Sequence, residues 1–308
     1  MRRRDFPVGD EAGSRLETYA RKVLGLPRPV AIRAIRKGWI RVDGRRARPD
    51  RRLEAGEVVR VTNDGLPLAP VSPGAHPTDP GDAEAERARQ SVRHDEHGAV
   101  VSAKPAGEVV HAGSGHRRGW VDLLAAAVGG PLVPVGRLDR DTSGLLVVAR
   151  GRGPARRLFA ALRAGTLRRG YVALAHGSLP DDAGVVDQPL AKRRSRGGQE
   201  RMVVDPDGAR AVTRYRVLRR LRGATLVSVE LETGRTHQIR AHLAHLGHPL
   251  LGDPRYGTSA ARRRAAELGL ARLFLHARTL WLPRPGDDPL RLDEPLPEEL
   301  AATIRALE

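Results

Sequence analysis

The sequence predicts an α+β protein: a mixed, mainly antiparallel sheet with flanking helices, preceded by a small α/β unit. Three observations carry that reading. After residue 99, short β-branched runs and segments of helical period follow one another irregularly, whereas a doubly wound parallel sheet needs them to alternate. Before residue 63, two helix-like segments and two short strands make a set of their own. Between them, residues 64–98 are rich in Pro, Gly and Asp and read as a semi-stiff linker. The expected divisions are 1–63, 64–98 and 99–308.

In the first unit, SRLETYARKVLGL (14–26) places Leu16, Tyr19, Val23 and Leu24 at helical spacing, with Ser14 as N-cap. PRPVAIRAIRKG (27–38) is a second helix closed by Gly38. WIRVDGRRARP predicts a strand with an Asp43-Gly44 turn, and RRLEAGEVVRV a second strand after a turn at 54–57. In the large unit, strands are expected at 99–103, 131–135, 145–149, 170–177, 211–218, 223–231 and 279–282. Helices are expected at 119–128, 153–164, 237–246 and 259–269.

Charge narrows the partner. Lys and Arg number 54 against 36 Asp and Glu, a net +18. Only 4 of the basic residues are Lys, so the preference for Arg is compositional, but the excess of basic over acidic residues is not. A polyanion is implied, nucleic acid ahead of an acidic membrane. Residues 1–63 alone carry 17 basic and 8 acidic side chains. On the second helix Arg33, Arg36 and Lys37 share one face, a phosphate-binding stripe. The chain has no Cys, which excludes disulfides, thiolate metal sites and thiol catalysis. No apolar segment follows MRRRDFPVGDEAG, and the longest uncharged stretch (123–136) is too short to span a bilayer. A cytoplasmic monomer without a membrane anchor is expected.

Chemistry concentrates in GRLDRDTSG (136–144), a polar loop between the apolar runs PLVPV and LLVVA. Asp139 and Asp141 lie too close on one strand-like segment to flank a glycosidic bond, and ten aromatics in all are poor material for sugar platforms. No metal site is expected, since no ligand cluster accompanies the pair. One working carboxylate beside guanidinium groups remains. In ETGRTHQIRAHLAHLGHPLLGDPRYG (232–257), Gly234 allows a turn and Thr236 caps a helix carrying His237, Arg240 and Leu243. His237 and His242 lack zincin spacing, so the histidines read as structural. Arg240, in an apolar setting, needs an anionic partner once buried. Tyr171, opening RRGYVALAHG (168–177), reads by itself as a core or strand-end tyrosine.

Together GRLDRDTSGLLVVAR and TGRTHQIRAHLAHLGHPLLGDPRYG resemble the RluA-type family of RNA pseudouridine synthases. AKPAGEVVHAGSG, RRGYVALAHG, LFLHARTLWLPRP and EPLPEEL fit in the same order, so the resemblance covers 99–308. Residues 14–62 resemble the small RNA-binding domain named after small-subunit ribosomal protein S-four. HAGSG and GQERMVVDPDGARAVTRYRV look most like the family's large-subunit rRNA enzymes. The resemblance implies a sheet split by a basic catalytic cleft, conversion of uridine to pseudouridine in RNA, and no cofactor. It implies Asp139 as catalytic carboxylate and Asp141 as a loop-structuring residue. Arg240 is implied as Asp139's partner, Tyr171 as the residue stacking on uracil, and Arg137 as the side chain filling the space of a flipped base. Gly136 departs from the His most relatives carry there. Two other readings stay open: a tRNA modifier, and a non-catalytic ribosome-assembly factor on the same fold. The intact trio of Asp139, Tyr171 and Arg240 argues against the second.

Overall fold

Apolar residues of the first sixty positions close on one another. The structure, a computed structural model, describes residues 4–8, 11–26, 28–62, 82–111, 118–194, 200–284 and 286–308. Strands β1 (Arg4–Pro7), β2 (Ile40–Val42) and β3 (Val58–Val61) form an antiparallel sheet in the order β1-β3-β2. Helices α1 (Leu16–Lys22) and α2 (Arg28–Arg36) cover it, burying Leu16, Tyr19, Leu24, Ile35, Ile40 and Val59 in one cluster. Asp43 and Gly44 both take positive φ (48° and 80°), the backbone of the expected tight turn. Ser14 does not cap α1; the N-cap is Arg15 and makes no side-chain cap. The reason is backbone pairing: the Leu53 amide donates to the Ser14 carbonyl, and the Leu16 amide donates to the Arg51 carbonyl. These bonds commit residues 14–16 to an extended path.

The large unit begins inside the span read as linker. Residues 63–81 lie outside the described residues, but α3 (Asp82–Gln90) and β4 (Val92–Glu96) are regular. β4 pairs with β5 (Ala99–Lys104), so the linker reading fails for these residues. β4 is an edge strand with charged side chains, and edge strands carry charge that hides their period. Then follow α4 (Trp120–Val128), β6 (Leu132–Pro134), β7 (Ser143–Arg150), α5 (Arg152–Arg163), β8 (Arg168–His176) and β9 (Ala183–Asp187). A separate hairpin, β10 (Leu190–Arg194) with β11 (Glu200–Val204), precedes β12 (Val212–Leu221) and β13 (Ala224–Leu231). The chain ends with α6 (Gln238–His245), α7 (Ser259–Glu267), β14 (Leu275–Arg284), β15 (Asp287–Asp293) and α8 (Glu298–Arg305).

The ten-stranded sheet runs β4-β5-β7-β14-β8-β13-β12-β9, with β6 beside β7 and β15 beside β14. Its pairs are antiparallel except β7 with β14. Tyr171, Ala173 and Ala175 of β8 pack toward α4 and α6, while Val172 and Leu174 pack toward α7 and α8. Burial on both faces explains why this strand reads as an unbroken apolar run. β6 and β7 are antiparallel neighbours, so residues 135–142 form the long connection of a hairpin projecting from the sheet.

Gly144 controls how that connection is seated. It takes φ 109° where β7 meets β14, and a Cβ there would lie 2.2 Å from the Ala277 carbonyl oxygen. Gly144→Ala is expected to destabilise by at least about 2 kcal/mol, from backbone strain and overpacking together. Thermal denaturation should show a Tm about 4–8 °C lower.

Candidate active site

The 135–142 connection is held from below. The buried Lys104 ammonium donates to the carbonyls of Pro105 (2.7 Å), Glu108 (2.8 Å) and Arg140 (3.1 Å). Burial lowers the Lys104 pKa to about 7, while the three carbonyls occupy all three N–H positions of its charged form. The Gly107 amide also donates to the Arg140 carbonyl, and the Thr142 amide donates to that of Asp139. Leu138 is anchored in the main core. Asp139, next along, thereby has a fixed backbone on both sides and keeps 15 % of its side chain exposed. Asp141 bonds the neighbouring Arg140 guanidinium (3.0 Å).

Helix α6 supplies the partner. Arg240 is buried and donates from Nη1 to Asp139 Oδ2 at 3.0 Å. Its larger engagement is with Asp253, which it meets through Nε (2.7 Å) and Nη2 (2.8 Å). Asp253 also accepts the Arg255 and Tyr256 amides, and its side chain has no exposure. Burial pushes the Asp253 carboxyl up, but the Arg240 bonds and charge and the two amides hold it below the ordinary value. Arg240 shifts upward although burial opposes it, because Asp253 and then Asp139 favour its charged form. The sequence reading foresaw an anionic partner for Arg240 but not Asp253. The available signal was GDPRYG: a buried guanidinium has five donors, more than one half-exposed carboxylate satisfies.

The entry to α6 differs from expectation. Thr236 is exposed and the N-cap is His237, in the left-handed region with φ 53°. The Gln238 side chain organises the turn instead: its Oε1 accepts from Thr233 and the Arg235 amide, and its Nε2 donates to Val212 and Thr213 on β12. His242 is structural, bonded to Thr213 and the Gln188 carbonyl. His237 is not merely so. The Met202 amide donates to the Tyr256 hydroxyl, which is hydrogen-bonded to His237 Nδ1 (3.1 Å). Burial lowers the His237 pKa, only partly opposed by Asp139. Its Nε2 lies 3.8 Å from Asp139 Oδ2.

Asp139 opens on two adjoining cavities of about 870 and 1350 Å³. The larger holds Tyr171, buried against the core, together with Gly136, Arg137 and Arg169; the smaller holds His237 and Arg255. Ala55, in the turn before β3, lines both. The structure thus brings Asp139, Tyr171 and Arg240 together, with Arg137 exposed at the rim. Arg33 and Arg36, exposed on α2, and Lys37, just past its end, lie apart, with the Lys37 ammonium 4.8 Å from the Trp39 ring centroid.

Comparison with known proteins identifies the family to which the chain belongs. The family model described as RNA pseudouridylate synthase matches residues 98–245. The chain belongs to the RNA pseudouridine synthase family and is an enzyme of that class. Ribosomal large subunit pseudouridine synthase C of Pasteurella multocida is 36% identical over 303 residues, covering 97% of this chain and 91% of that protein. The protein of the same name from Escherichia coli K12 is 36% identical over 306 residues, covering 97% and 95%. Among solved structures, human RNA pseudouridylate synthase domain containing 4 has a TM-score of 0.60 and 26% identity, covering 73% of this chain and 95% of that one. Among the described residues no helix is long and apolar enough to cross a membrane.

Proposed function

We propose that this protein isomerises uridines of large-subunit ribosomal RNA to pseudouridine, with Asp139 as the catalytic carboxylate. The observation that carries it is the Asp139 carboxylate, bonded to Arg240 at 3.0 Å in a cavity it shares with Tyr171. In the reaction the N1–C1′ bond breaks, the uracil turns, and C5 bonds to C1′. A proton leaves C5 and one is gained at N1, so no redox partner or group donor enters. Asp139 acts at the ribose or base, oriented by Arg240. Tyr171 stacks on the uracil, and His237 Nε2 lies 3.8 Å from the Asp139 carboxylate. Arg137, unpaired among the described residues, fills the gap left by the flipped base. The names of the relatives favour ribosomal over transfer RNA, and the intact trio favours an enzyme over an assembly factor. Site-resolved pseudouridine mapping of total RNA, with and without the gene, tests the reading; an unchanged large-subunit rRNA map would overturn it.

The N-terminal unit, similar to an S-four-type domain, grips phosphates through Arg33, Arg36 and Lys37, and the protein works as a cytoplasmic monomer. All three side chains are exposed, on α2 and the turn directly after it, as a non-sequence-reading backbone contact requires. Replacing all three with Gln in the full chain is expected to flatten the slope of log K against log salt by about 2–3. Equilibrium RNA binding at several salt concentrations measures it, and an unchanged slope removes the stripe from the interface.

A further inference from the structure

Arg169 is a half-buried guanidinium in the active-site cavity with no hydrogen bond or ion pair among the described residues. Its surroundings make room for it. A Cβ on Gly136 would lie 2.8 Å from its Nη1, and a Cβ on Gly234 would lie 3.6 Å from its Nη2. The two glycines begin the segment carrying Asp139 and the turn leading to Arg240, so the charge is wedged between the two halves of the site. Arg169 and Tyr171 are two apart on β8 and face the same cavity, about 7 Å from each other along the strand. A guanidinium and a phenol ring side by side on one wall of the cavity can meet the phosphate and the base of a single nucleotide. A guanidinium that forms no internal pair, yet is held in a wall rather than free in solvent, is placed to receive an anionic oxygen in a bidentate contact.

We infer that Arg169 binds a phosphodiester oxygen of the nucleotide being isomerised, and that Gly136 is the position that admits it. The inference rests on the RNA-modifying reading above. Any side chain at 136 would meet the guanidinium and would also adopt φ 93°, so both contact and backbone conformation depend on glycine there.

The test is equilibrium binding of unmodified large-subunit rRNA transcript to the full-length protein across a salt series, run alongside pseudouridine formation on the same transcript. Arg169→Ala is expected to weaken binding about 10- to 100-fold and to reduce the salt slope by about 0.7, one phosphate contact on a single strand. Arg169→Lys should restore the slope but not the full affinity, since it keeps the charge and loses the planar fork. Gly136→Ala should weaken binding in the native background and add nothing further in Arg169→Ala. Unchanged affinity and slope in Arg169→Ala overturn the assignment. An equal loss from Gly136→Ala in both backgrounds overturns the role of Gly136. Because binding is read directly, these outcomes stand apart from the activity assay, where failure of the native protein to form pseudouridine would count against the enzymatic reading instead.

Discussion

Asp139→Asn is expected to abolish pseudouridine formation, by at least about 10⁴-fold, the scale seen when an essential catalytic group is removed. The substitution changes one oxygen to an amide and leaves the volume alone. Arg240 stays anchored, because its two bonds to Asp253 do not involve Asp139. The loop backbone stays anchored too, through the Lys104 and Gly107 contacts to the Arg140 carbonyl. The variant should therefore fold and bind RNA normally, and quantitative pseudouridine assay beside RNA binding separates the two properties. Asp141→Asn serves as the control and should stay within about threefold of the native rate, since among the described residues the Asp141 side chain's hydrogen bond is to the neighbouring exposed Arg140. Turnover surviving in Asp139→Asn, or lost equally in Asp141→Asn, would reverse the assignment of the two aspartates.

Asp253→Asn carries the largest expected effect on stability. Both members of this pair are buried, and removing one charge leaves the Arg240 guanidinium short of compensation. Breaking such a pair costs about 3–5 kcal/mol. For a unit of this size that corresponds to a Tm lower by about 6–20 °C, read by calorimetry. The pH dependence has a defined sign. The folded-state carboxyl lies below its unfolded value of about 3.9. Its contribution is thus complete above that value and is lost as pH falls through the depressed folded value. The Tm gap between native protein and variant should narrow as pH drops below about 4. A gap independent of pH would show that packing, not the charge, holds Arg240. Turnover should fall as well, because Arg240 freed on one side no longer orients Asp139.

The fold was legible where side chains alternate between a buried face and another buried face. The apolar runs 145–149 and 170–177 lie within β7 and around β8, and the helical periods of 119–128 and 153–164 correspond closely to α4 and α5. It was not legible at the sheet margins. β4 and β15 carry exposed charged residues and β9 exposes Ala183 and Val185, and their strand state comes from pairing with β5, β14 and β12 rather than from their own period.

The same division holds at the site. Local chemistry was enough to mark a polar loop between two core strands, and to require an anion for an arginine among Ile239, Ala241 and Leu243. The family resemblance then implied Asp139 rather than Asp141 as the working carboxylate. Only the tertiary structure brings residues 101 positions apart within 3.0 Å, gives Arg240 a second and tighter carboxylate in Asp253, and turns His237 toward Asp139 through Tyr256. Those contacts follow from how β7, β8 and α6 are stacked, and stacking is determined by burial summed over the whole core. A residue's chemical type is local, so it can be read along the chain; its partner is chosen by packing, so it cannot.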